Sequence, residues 1–428
     1  MLTPVWEVEP RADRPRIVHV NATATGGGVA ELLRGLVSGQ RKSGINAGWA
    51  VIAGTDEFYK VTKFLHHLLH GEADPAGLDD PEPLRSYRAV LEAQAQWFAG
   101  QFDSGDVVVL HDPQTLGLAP MLRGTGARLV WHCHVGADVE PHRGPAAVWR
   151  SLATELDAVD AVVTTIAEFA PPAVPEPKRF VVQPAVDPAA LKNRDLTSAE
   201  VAGILDRIGL TSERRSPDAV IERRAPLPDD ARVVVQVSRW DPLKDMPGVL
   251  RCVSGLPADV HVVLAGTDPE QIPDDPEGVA VYSEVLDVLE RMPESDRDRV
   301  HLVRLSMVAP GQNALAVNAL QRRADVVLQK SLQEGFGLTV TEAMIKGRAV
   351  VASAVGGIRQ QVTHGYNGLL IDPDDHDSVV AALIQLLDDP SLRDQLGERA
   401  HNSVMERYTM RRLIEDYRVI AEPAQVTG

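Results

Sequence analysis

The sequence predicts an α/β protein with two domains, each built on a mostly parallel β-sheet that is covered by helices. The chain has 428 residues, which is about two to three times the length of one ordinary domain. Short, continuous apolar runs alternate with helical patterns along it, as in proteins whose sheets are buried on both faces. A proline-rich stretch interrupts this alternation once, and the alternation then resumes.

The first domain contains five candidate strands. They are predicted in the runs RIVHV from residue 16, AGWAVIA from 47, DVVVL from 106, ARLVW from 127 and AVVTT from 161. A helix is expected after the second strand, because apolar residues recur there at helical spacing. These residues are Phe58, Val61, Phe64, Leu65, Leu68 and Leu69. The succession of strands and helices predicts β-α-β units.

The domain boundary is predicted near Pro184 to Pro188, after the proline-rich segment FAPPAVPEPKRF. We therefore divide the chain into an N-terminal domain, 1–187, and a C-terminal domain, 188–428. Strands of the second domain are predicted in ARVVVQV from residue 231, HVVLAG from 261, HLVRL from 301, DVVLQ from 325 and AVVAS from 349. From about residue 376 the chain is predicted to be helical, and this tail is assigned to the second domain.

Charge and composition exclude several classes of partner. The net charge is -17, whereas nucleic acids and anionic membranes bind basic surfaces. Cys133 and Cys252 fit no disulfide or metal spacing, which favours a reducing compartment. The N-terminal sequence MLTPVWEVEP lacks the pattern of a secretory signal, and no run approaches the roughly 20 apolar residues of a membrane span. We expect a cytoplasmic protein.

A triple glycine, Gly26, Gly27 and Gly28, follows the first predicted strand in the stretch HVNATATGGG and precedes an amphipathic helix. Without side chains, a ligand can approach the backbone N–H groups at the start of that helix. A tight turn without a ligand is at least as common, and the glycine spacing of dinucleotide-binding proteins is absent. These glycines are therefore candidates for contact with an anion, with a simple turn as the alternative.

Two cations follow the first strand of the second domain. In the stretch VSRWDPLKD, Arg239 and Lys244 lie near the carboxyl end of this strand, where open α/β sheets bind their ligands. Together they could neutralise a phosphate or diphosphate. The alternative is an ordinary solvated loop.

The most informative stretch is KSLQEGFGLTVTEAMIKG, which follows the strand DVVLQ. Gly335 and Gly337 indicate a loop that enters a helix from Leu338 to Lys346. Glu334 would then lie on the loop and Glu342 about one turn inside the helix, so that both can face a ligand at the helix N-terminus. Paired carboxylates suit the hydroxyls of a sugar or ribose. The alternative is a helix-capping acid and a surface residue.

Polar side chains also follow two strands of the first domain, in LHDPQ and WHCHVG. His132 and His134 are two residues apart in a strand and are therefore predicted to share a face. With His111 and Asp112 they suggest a role in hydrogen bonding to a ligand. Zinc is disfavoured because a third and fourth ligand at suitable spacing are missing, so no metal site is predicted.

These residues carry a resemblance to a known family. The segment EGFGLTVTEAMIKGRAVVASAVGGIRQQVTHGYNGLLI resembles the nucleotide-sugar signature of retaining glycosyltransferases of family 4, with its two glutamates and its downstream glycine pair. HVNATATGGGVAELLRGLV, GTDEFYKVTKFLHHLLHG, LHDPQTLGL and VSRWDPLKD resemble the trehalose-forming branch. The resemblance implies a GT-B fold: two Rossmann-like domains facing across a cleft, with a helical C-terminal tail.

The resemblance also implies roles for individual residues. Arg239 and Lys244 would bind the donor diphosphate, Glu342 the ribose and Glu334 the transferred hexose. His134, in preference to His132, would face the reacting hexose. The donor site would further include the backbone of Gly26, Gly27 and Gly28, together with Gly335, Phe336, Gly337 and Leu338.

The implied reaction is transfer of glucose from a nucleoside diphosphate glucose to glucose, which forms trehalose. No cofactor or metal is expected, because the two cations can stabilise the leaving diphosphate. The alternatives are a family 4 enzyme with another acceptor, a nucleotide-sugar-binding protein without catalysis, and an epimerase. A homodimer is the commonest assembly for a soluble chain that self-associates. The base of the donor nucleotide stays open.

Overall fold

In the computed structural model the described residues are 3–24, 28–71, 73–137, 143–272 and 276–422. The chain separates into two compact units, Met1–Ala185 with Met410–Gly428, and Val186–Thr409. Each unit contains one seven-stranded sheet, mostly parallel and covered by helices, as the sequence predicts. Within the described residues, no helix combines the length and the apolar character needed to cross a membrane.

The sheet of the first unit has the strand order β1-β3-β2-β4-β5-β6-β7. All neighbours are parallel except β1 and β3. Every residue of β2, β3 and β4 is buried, which explains their continuous apolar runs. The strands are β1 (Val5–Val8), β2 (Ile17–Asn21), β3 (Ala47–Val51), β4 (Val107–His111), β5 (Arg128–Cys133), β6 (Ala161–Thr164) and β7 (Arg179–Val181).

Helices cover both faces of this sheet and bury two hydrophobic clusters against it. The predicted helix after the second strand is confirmed, and its N-cap Thr55 accepts a hydrogen bond from the Phe58 backbone N–H. The helices are α1 (Gly28–Lys42), α2 (Asp56–His70), α3 (Glu82–Ala99), α4 (Asp112–Leu116), α5 (Ala119–Leu122), α6 (Arg143–Ser151) and α7 (Ala153–Asp157).

The sheet of the second unit has the order β14-β13-β12-β9-β10-β11-β8, and only the edge strand β8 is antiparallel to its neighbour. The five predicted strands form its centre. The short edge strands β8 and β14 were not predicted. The strands are β8 (Ala219–Glu222), β9 (Arg232–Val237), β10 (Val260–Thr267), β11 (Val300–Leu305), β12 (Val326–Gln329), β13 (Val350–Ser353) and β14 (Leu369–Ile371).

The helices of the second unit also pack on both faces of their sheet, where they bury two further hydrophobic clusters. They are α8 (Ser198–Arg207), α9 (Met246–Cys252), α10 (Pro276–Arg291), α11 (Glu294–Arg297), α12 (Pro310–Arg323), α13 (Leu338–Ile345), α14 (Ile358–Gln361), α15 (His376–Asp388) and α16 (Pro390–Arg407).

The last helix, α17 (Met410–Ala421), corrects the predicted domain division. The tail is helical as predicted, but α17 belongs to the first unit and not to the predicted domain 188–428. Its apolar face, which includes Leu413 and Tyr417, is buried in the same cluster as the apolar face of α1. The rest of the second unit ends at Thr409, and the unit boundary at Ala185 lies close to the predicted residue 187.

A glycine on α1 allows α17 to pack closely. A Cβ atom on Gly39 would come within 2.8 Å of Ile414 Cδ1, so we expect Gly39→Leu to lower the free energy of unfolding by about 1–2 kcal/mol through overpacking. Urea denaturation of the full chain measures this change. Gly203→Leu on α8 is the matched control, because a Cβ there meets nothing within 4 Å. Equal stability of the two variants would contradict the close packing.

Candidate active site

The chain segments that follow β9 and β12, including α13, carry most of the predicted site residues, and these two strands are neighbours in the second sheet. Because the strands are parallel, their carboxyl ends meet at the same edge of the sheet. Arg239 and Lys244 follow β9, and Glu334 follows β12. The topology therefore brings residues about 90 positions apart to one place, as the distance between Lys244 and Glu334 shows.

Lys244 and Glu334 form an ion pair at the centre of this edge. Lys244 Nζ lies 2.9 Å from Glu334 Oε2, and the two side chains are 13% and 14% exposed. Ser331 Oγ donates a second hydrogen bond to the same carboxylate oxygen, at 3.1 Å. Gln236 Nε2 donates to the carbonyl oxygen of Lys244, at 2.7 Å, and fixes the backbone from which the lysine extends. Hydrogen bonds to the Glu334 carboxylate and to the Lys244 backbone thus hold this sheltered ion pair in place.

Arg239 lies on the same loop but in a different environment. Its side chain is 60% exposed and pairs with Asp241 Oδ2 at 2.6 Å. Asp241 also caps the short helical turn that ends at Lys244, because its Oδ1 accepts the backbone N–H of Leu243. The structure thus places the two predicted cations on one loop, with the lysine sheltered and the arginine exposed.

The stretch Gly335 to Leu338 forms the turn between Glu334 and α13. Gly337 is the N-cap of α13 and has φ of 88°, a left-handed conformation that favours glycine. Phe336 is buried and packs edge-on against the ring of Tyr408. Leu338 begins the helix, as predicted.

The backbone of the downstream glycine pair, Gly356 and Gly357, packs directly against this turn. Gly356 has φ of 42°, and a Cβ atom there would lie 1.8 Å from the carbonyl oxygen of Glu334. Gly357 donates its N–H to the same oxygen at 3.3 Å. Only residues without side chains allow the two backbone segments to approach so closely, which explains why glycine occupies both positions.

Glu342 lies one turn inside α13 and is buried, with 6% of its surface exposed. Its partner is Lys192, whose Nζ lies 3.4 Å from Glu342 Oε1. Lys346 donates from Nζ to the backbone oxygen of Glu342 at 2.7 Å, and burial lowers the pKa of this lysine to about 7. The two predicted glutamates are therefore each paired with a different lysine.

In the first unit, Gly26 and Gly27 lie outside the described residues. Gly28 is the first residue of α1 and is exposed. The placement of a glycine at the start of a helix agrees with the predicted strand-to-helix turn.

The predicted histidines form one cluster at the carboxyl ends of β4 and β5. His132 and His134 share a face as predicted, and their rings stack with centroids 3.9 Å apart. His132 is buried and contacts the hydroxyl of Tyr417, whereas His134 is partly exposed. His111 joins them because β4 and β5 are adjacent, with His111 opposite His132 in the register.

This cluster corrects the expectation that a third metal ligand is missing. Ligand atoms of His111, His132 and His134 lie within 4.8 Å of one another. An imidazole binds a metal ion in the plane of its ring. The stacked rings of His132 and His134 have nearly parallel planes, only 25° apart, so one ion cannot lie close to both planes at once. The absence of a metal site stays a prediction.

Sequence reasoning gave less weight to Asp112, the first residue of α4. It has φ of 59°, an uncommon conformation for a residue with a side chain. Its Oδ1 accepts the backbone N–H of His134 at 2.7 Å, and burial raises the pKa of its carboxyl to about 7. Strain and a perturbed pKa together are typical of functional sites. The signal in the sequence was the position of Asp112 directly after a buried strand.

Comparisons with known proteins agree with this architecture. A family model described as trehalose synthase, N-terminal domain, matches residues 19–171, and one described as glycosyl transferases group 1 matches residues 219–403. The structure of an α,α-trehalose-phosphate synthase (UDP-forming) from Burkholderia xenovorans, in complex with glucose-6-phosphate, aligns with a TM-score of 0.72 at 16% identity. The alignment covers 96% of this chain and 100% of that chain. The molecule is a glycosyltransferase of the GT-B fold class.

Relatives of similar length identify the family. A trehalose synthase of Rubrobacter xylanophilus is 34% identical over 415 residues, which cover 96% of this chain and 91% of the relative. A trehalose synthase of Pyrococcus horikoshii is 32% identical over 419 residues, with 96% and 92% covered. The chain belongs to the trehalose synthase branch of glycosyltransferase family 4, and it is a hexosyltransferase of trehalose metabolism. The resemblance seen in the sequence is confirmed.

Proposed function

We propose that this protein transfers glucose from a nucleoside diphosphate glucose to glucose, with retention of the anomeric configuration, and so forms trehalose. The observation that carries the proposal is the sheltered pair of Lys244 and Glu334, 2.9 Å apart beside the N-terminus of α13. A cation and a carboxylate side by side offer one group for a phosphate and one for sugar hydroxyls. The family relationship supports the same substrates.

Binding of the donor would replace the ion pair. Lys244 would turn from Glu334 towards the diphosphate, and the freed carboxylate of Glu334 would accept hydrogen bonds from the hexose hydroxyls. Arg239, which is exposed on the same loop, would add a second positive charge at the diphosphate. Glu342 would bind the ribose in exchange for its contact with Lys192. Lys244 thus has an anionic partner both with and without the donor, whereas Glu334 and Glu342 exchange a lysine for sugar hydroxyls.

Two further contacts with the substrates are predicted. Gly26, Gly27 and Gly28 would present backbone N–H groups to the diphosphate and the acceptor, and His134 would contact the reacting hexose. Both remain proposals from the family resemblance. The partial exposure of His134, against the buried His132, supports the choice between the two histidines.

In the reaction, the bond between the anomeric carbon and the β-phosphate oxygen breaks, and negative charge develops on the leaving diphosphate. Lys244 and Arg239 would stabilise this charge. The anomeric hydroxyl of the acceptor glucose would attack from the face that the diphosphate leaves, and its proton would pass to a phosphate oxygen. The products are trehalose and the nucleoside diphosphate. Two side-chain cations supply the charge that a divalent metal ion would otherwise provide, so we expect no metal requirement.

A product assay tests the proposal. Purified protein is incubated with UDP-glucose, ADP-glucose or GDP-glucose, with and without free glucose, in the presence of EDTA. Nucleoside diphosphate and a non-reducing disaccharide are measured, and the anomeric configuration of the disaccharide is read by NMR. We expect glucose-dependent release of nucleoside diphosphate together with an equal amount of α,α-trehalose.

Other outcomes separate the alternatives. The Burkholderia xenovorans structure contains glucose-6-phosphate, so this sugar is tested as a second acceptor, and a product formed only from it would overturn glucose as the acceptor. Release of nucleoside diphosphate without a disaccharide would indicate hydrolysis or an epimerase. Tight donor binding without any release would favour a binding protein without catalysis. A β-linked product would contradict retention.

A further inference from the structure

Four polar side chains of the first unit form a continuous chain of hydrogen bonds that ends at His134. Gln40 Oε1 lies 3.1 Å from His19 Nε2, His19 Nδ1 lies 3.0 Å from His111 Nε2, and His111 Nδ1 lies 2.9 Å from His134 Nε2. Gln40, His19 and His111 are at most 1% exposed, and His134 is the partly exposed end. We define these four residues as the histidine chain.

The chain follows from the order of the strands. His19 on β2, His111 on β4 and His134 just after β5 come from three adjacent parallel strands, and Gln40 comes from α1, which packs on this sheet. Tyr417 of α17 covers the chain, with its ring edge-on to His19 at 5.0 Å between centroids. Protein therefore surrounds the chain on every side except at His134.

The imidazoles of the histidine chain are neutral near pH 7. Burial lowers the pKa of His19 to about 4 and that of His134 to about 3, and it lowers the pKa of His111 well below the ordinary value. A neutral imidazole has one N–H and one bare nitrogen, so each ring donates at one nitrogen and accepts at the other. A chain of such rings transmits the direction of its first hydrogen bond to its last ring.

The oxygen of Gln40 sets that direction, because it can only accept. His19 must therefore carry its proton on Nε2 and leave Nδ1 bare. His111 then donates from Nε2 to His19 and accepts at Nδ1, and His134 donates from Nε2 to His111. The remaining nitrogen, His134 Nδ1, is bare.

We infer that Gln40, His19 and His111 are positioning residues that hold His134 in the tautomer with a bare Nδ1, so that His134 accepts a hydrogen bond from a hydroxyl of the reacting sugar. The inference about the sugar rests on the proposed function, whereas the tautomer does not. With the opposite tautomer, His134 would offer an N–H to the hydroxyl and would leave the proton of that hydroxyl without this acceptor.

Two substitutions of Gln40 separate the positioning role from packing. Gln40→Met keeps the size of the side chain and removes the acceptor, whereas Gln40→Glu in its ionised form keeps an oxygen that can only accept from His19, so both variants are measured at a pH above the pKa of that carboxyl. The amide Nε2 of Gln40 is buried and has no hydrogen-bond partner among the described residues, so Gln40→Glu loses no such contact. Tyr417→Phe is the control, because it removes a hydroxyl that contacts His132 in the same cluster but lies outside the chain.

The tautomer is read directly from two-bond ¹H–¹⁵N correlation spectra of the full-length protein labelled at histidine, in which bare and protonated ring nitrogens resonate far apart. The signals of His134 are assigned as those that disappear in His134→Gln. We expect a bare Nδ1 in the wild type, in Tyr417→Phe and in Gln40→Glu, and mixed tautomers in Gln40→Met. In the transfer assay, Gln40→Met should lower kcat about five- to tenfold and Gln40→Glu should restore most of it.

Three results would overturn the inference: a protonated Nδ1 of His134 in the wild type, an unchanged tautomer in Gln40→Met, or equal losses of kcat in Gln40→Met and Gln40→Glu. A wild-type protein that shows the bare Nδ1 but forms no disaccharide would contradict the proposed function and not the tautomer. Thermal denaturation of all variants identifies any loss of kcat that arises from unfolding.

Discussion

Replacing Lys244 with alanine is expected to lower kcat for disaccharide formation by about 10²- to 10³-fold. The lysine is the sheltered cation of the site, and its Nζ lies 2.9 Å from Glu334, where a diphosphate oxygen would compete for it. Removing a group that stabilises charge in the transition state costs turnover, whereas the hydrophobic clusters that hold the second unit together do not include Lys244. Steady-state kinetics with the preferred donor and near-ultraviolet circular dichroism measure the two effects.

A control variant and a double variant show whether the loss of kcat arises from the role of Lys244 at the diphosphate. Arg291→Ala on α10 removes an exposed arginine that pairs within its own helix, and we expect it to leave kcat unchanged. The double variant Lys244→Ala/Glu334→Gln removes the unpaired carboxylate left by the single change. If Lys244 acts on the diphosphate, the double variant stays as slow as the single one. Recovery towards wild-type activity would mean that Lys244 serves only to neutralise Glu334.

Much of the architecture was predictable from the sequence because its strands are buried. A strand buried on both faces needs a continuous apolar run, and all ten predicted runs became central strands of the two sheets. The edge strands β1, β7, β8 and β14 have three or four residues and carry too little pattern to be recognised. The loops that contain Lys244 and Glu334 were predicted for a related reason, because ligands bind where parallel strands end.

The position of α17 was not predictable from local pattern. Its apolar stripe, which includes Leu413 and Tyr417, indicates that the helix packs on something, but it does not tell which sheet receives it. The choice depends on the complementary surface of α1, where Gly39 leaves room for Ile414. The two helices lie far apart in the sequence, so only the folded unit brings the surfaces together.

The histidine chain was missed for the same reason. His19 and Gln40 each look like ordinary members of a buried strand and an amphipathic helix, and their contacts join residues up to 92 positions apart. The sequence indicated His111 and His134 because both follow strands. It could not show that a fourth residue sets the direction of their hydrogen bonds, since direction depends on which atom of Gln40 faces His19.

The sequence did not indicate a role for Lys330. Its contacts in the structure lead to a prediction about the stability of the protein. A lysine after a strand is usually exposed, yet Lys330 is fully buried and pairs with Asp245. Asp245 is also the N-cap of α9, where its Oδ1 accepts the backbone N–H of Gly248 at 3.0 Å. The buried lysine therefore neutralises the carboxylate that begins the helix next to the Lys244 loop.

We expect Lys330→Met to lower the free energy of unfolding by about 3 kcal/mol, because it keeps the size of the side chain and leaves the sheltered Asp245 without its main counter-charge. Arg251 Nη2 lies 3.7 Å from Asp245 Oδ1, but this side chain is half-exposed and therefore compensates the lost positive charge only in part. Urea denaturation of the full chain, followed by circular dichroism, measures the loss.

The double variant Lys330→Met/Asp245→Asn distinguishes charge from packing. Asparagine caps helices well and tolerates the left-handed conformation of residue 245, where φ is 43°. Asparagine also removes the negative charge that Lys330→Met leaves without its main counter-charge. The double variant should therefore be more stable than Lys330→Met alone by at least about 1 kcal/mol. If the two substitutions instead destabilise additively, the cost of Lys330→Met comes from altered packing around the methionine. The ion pair would then contribute little to the stability of the second unit.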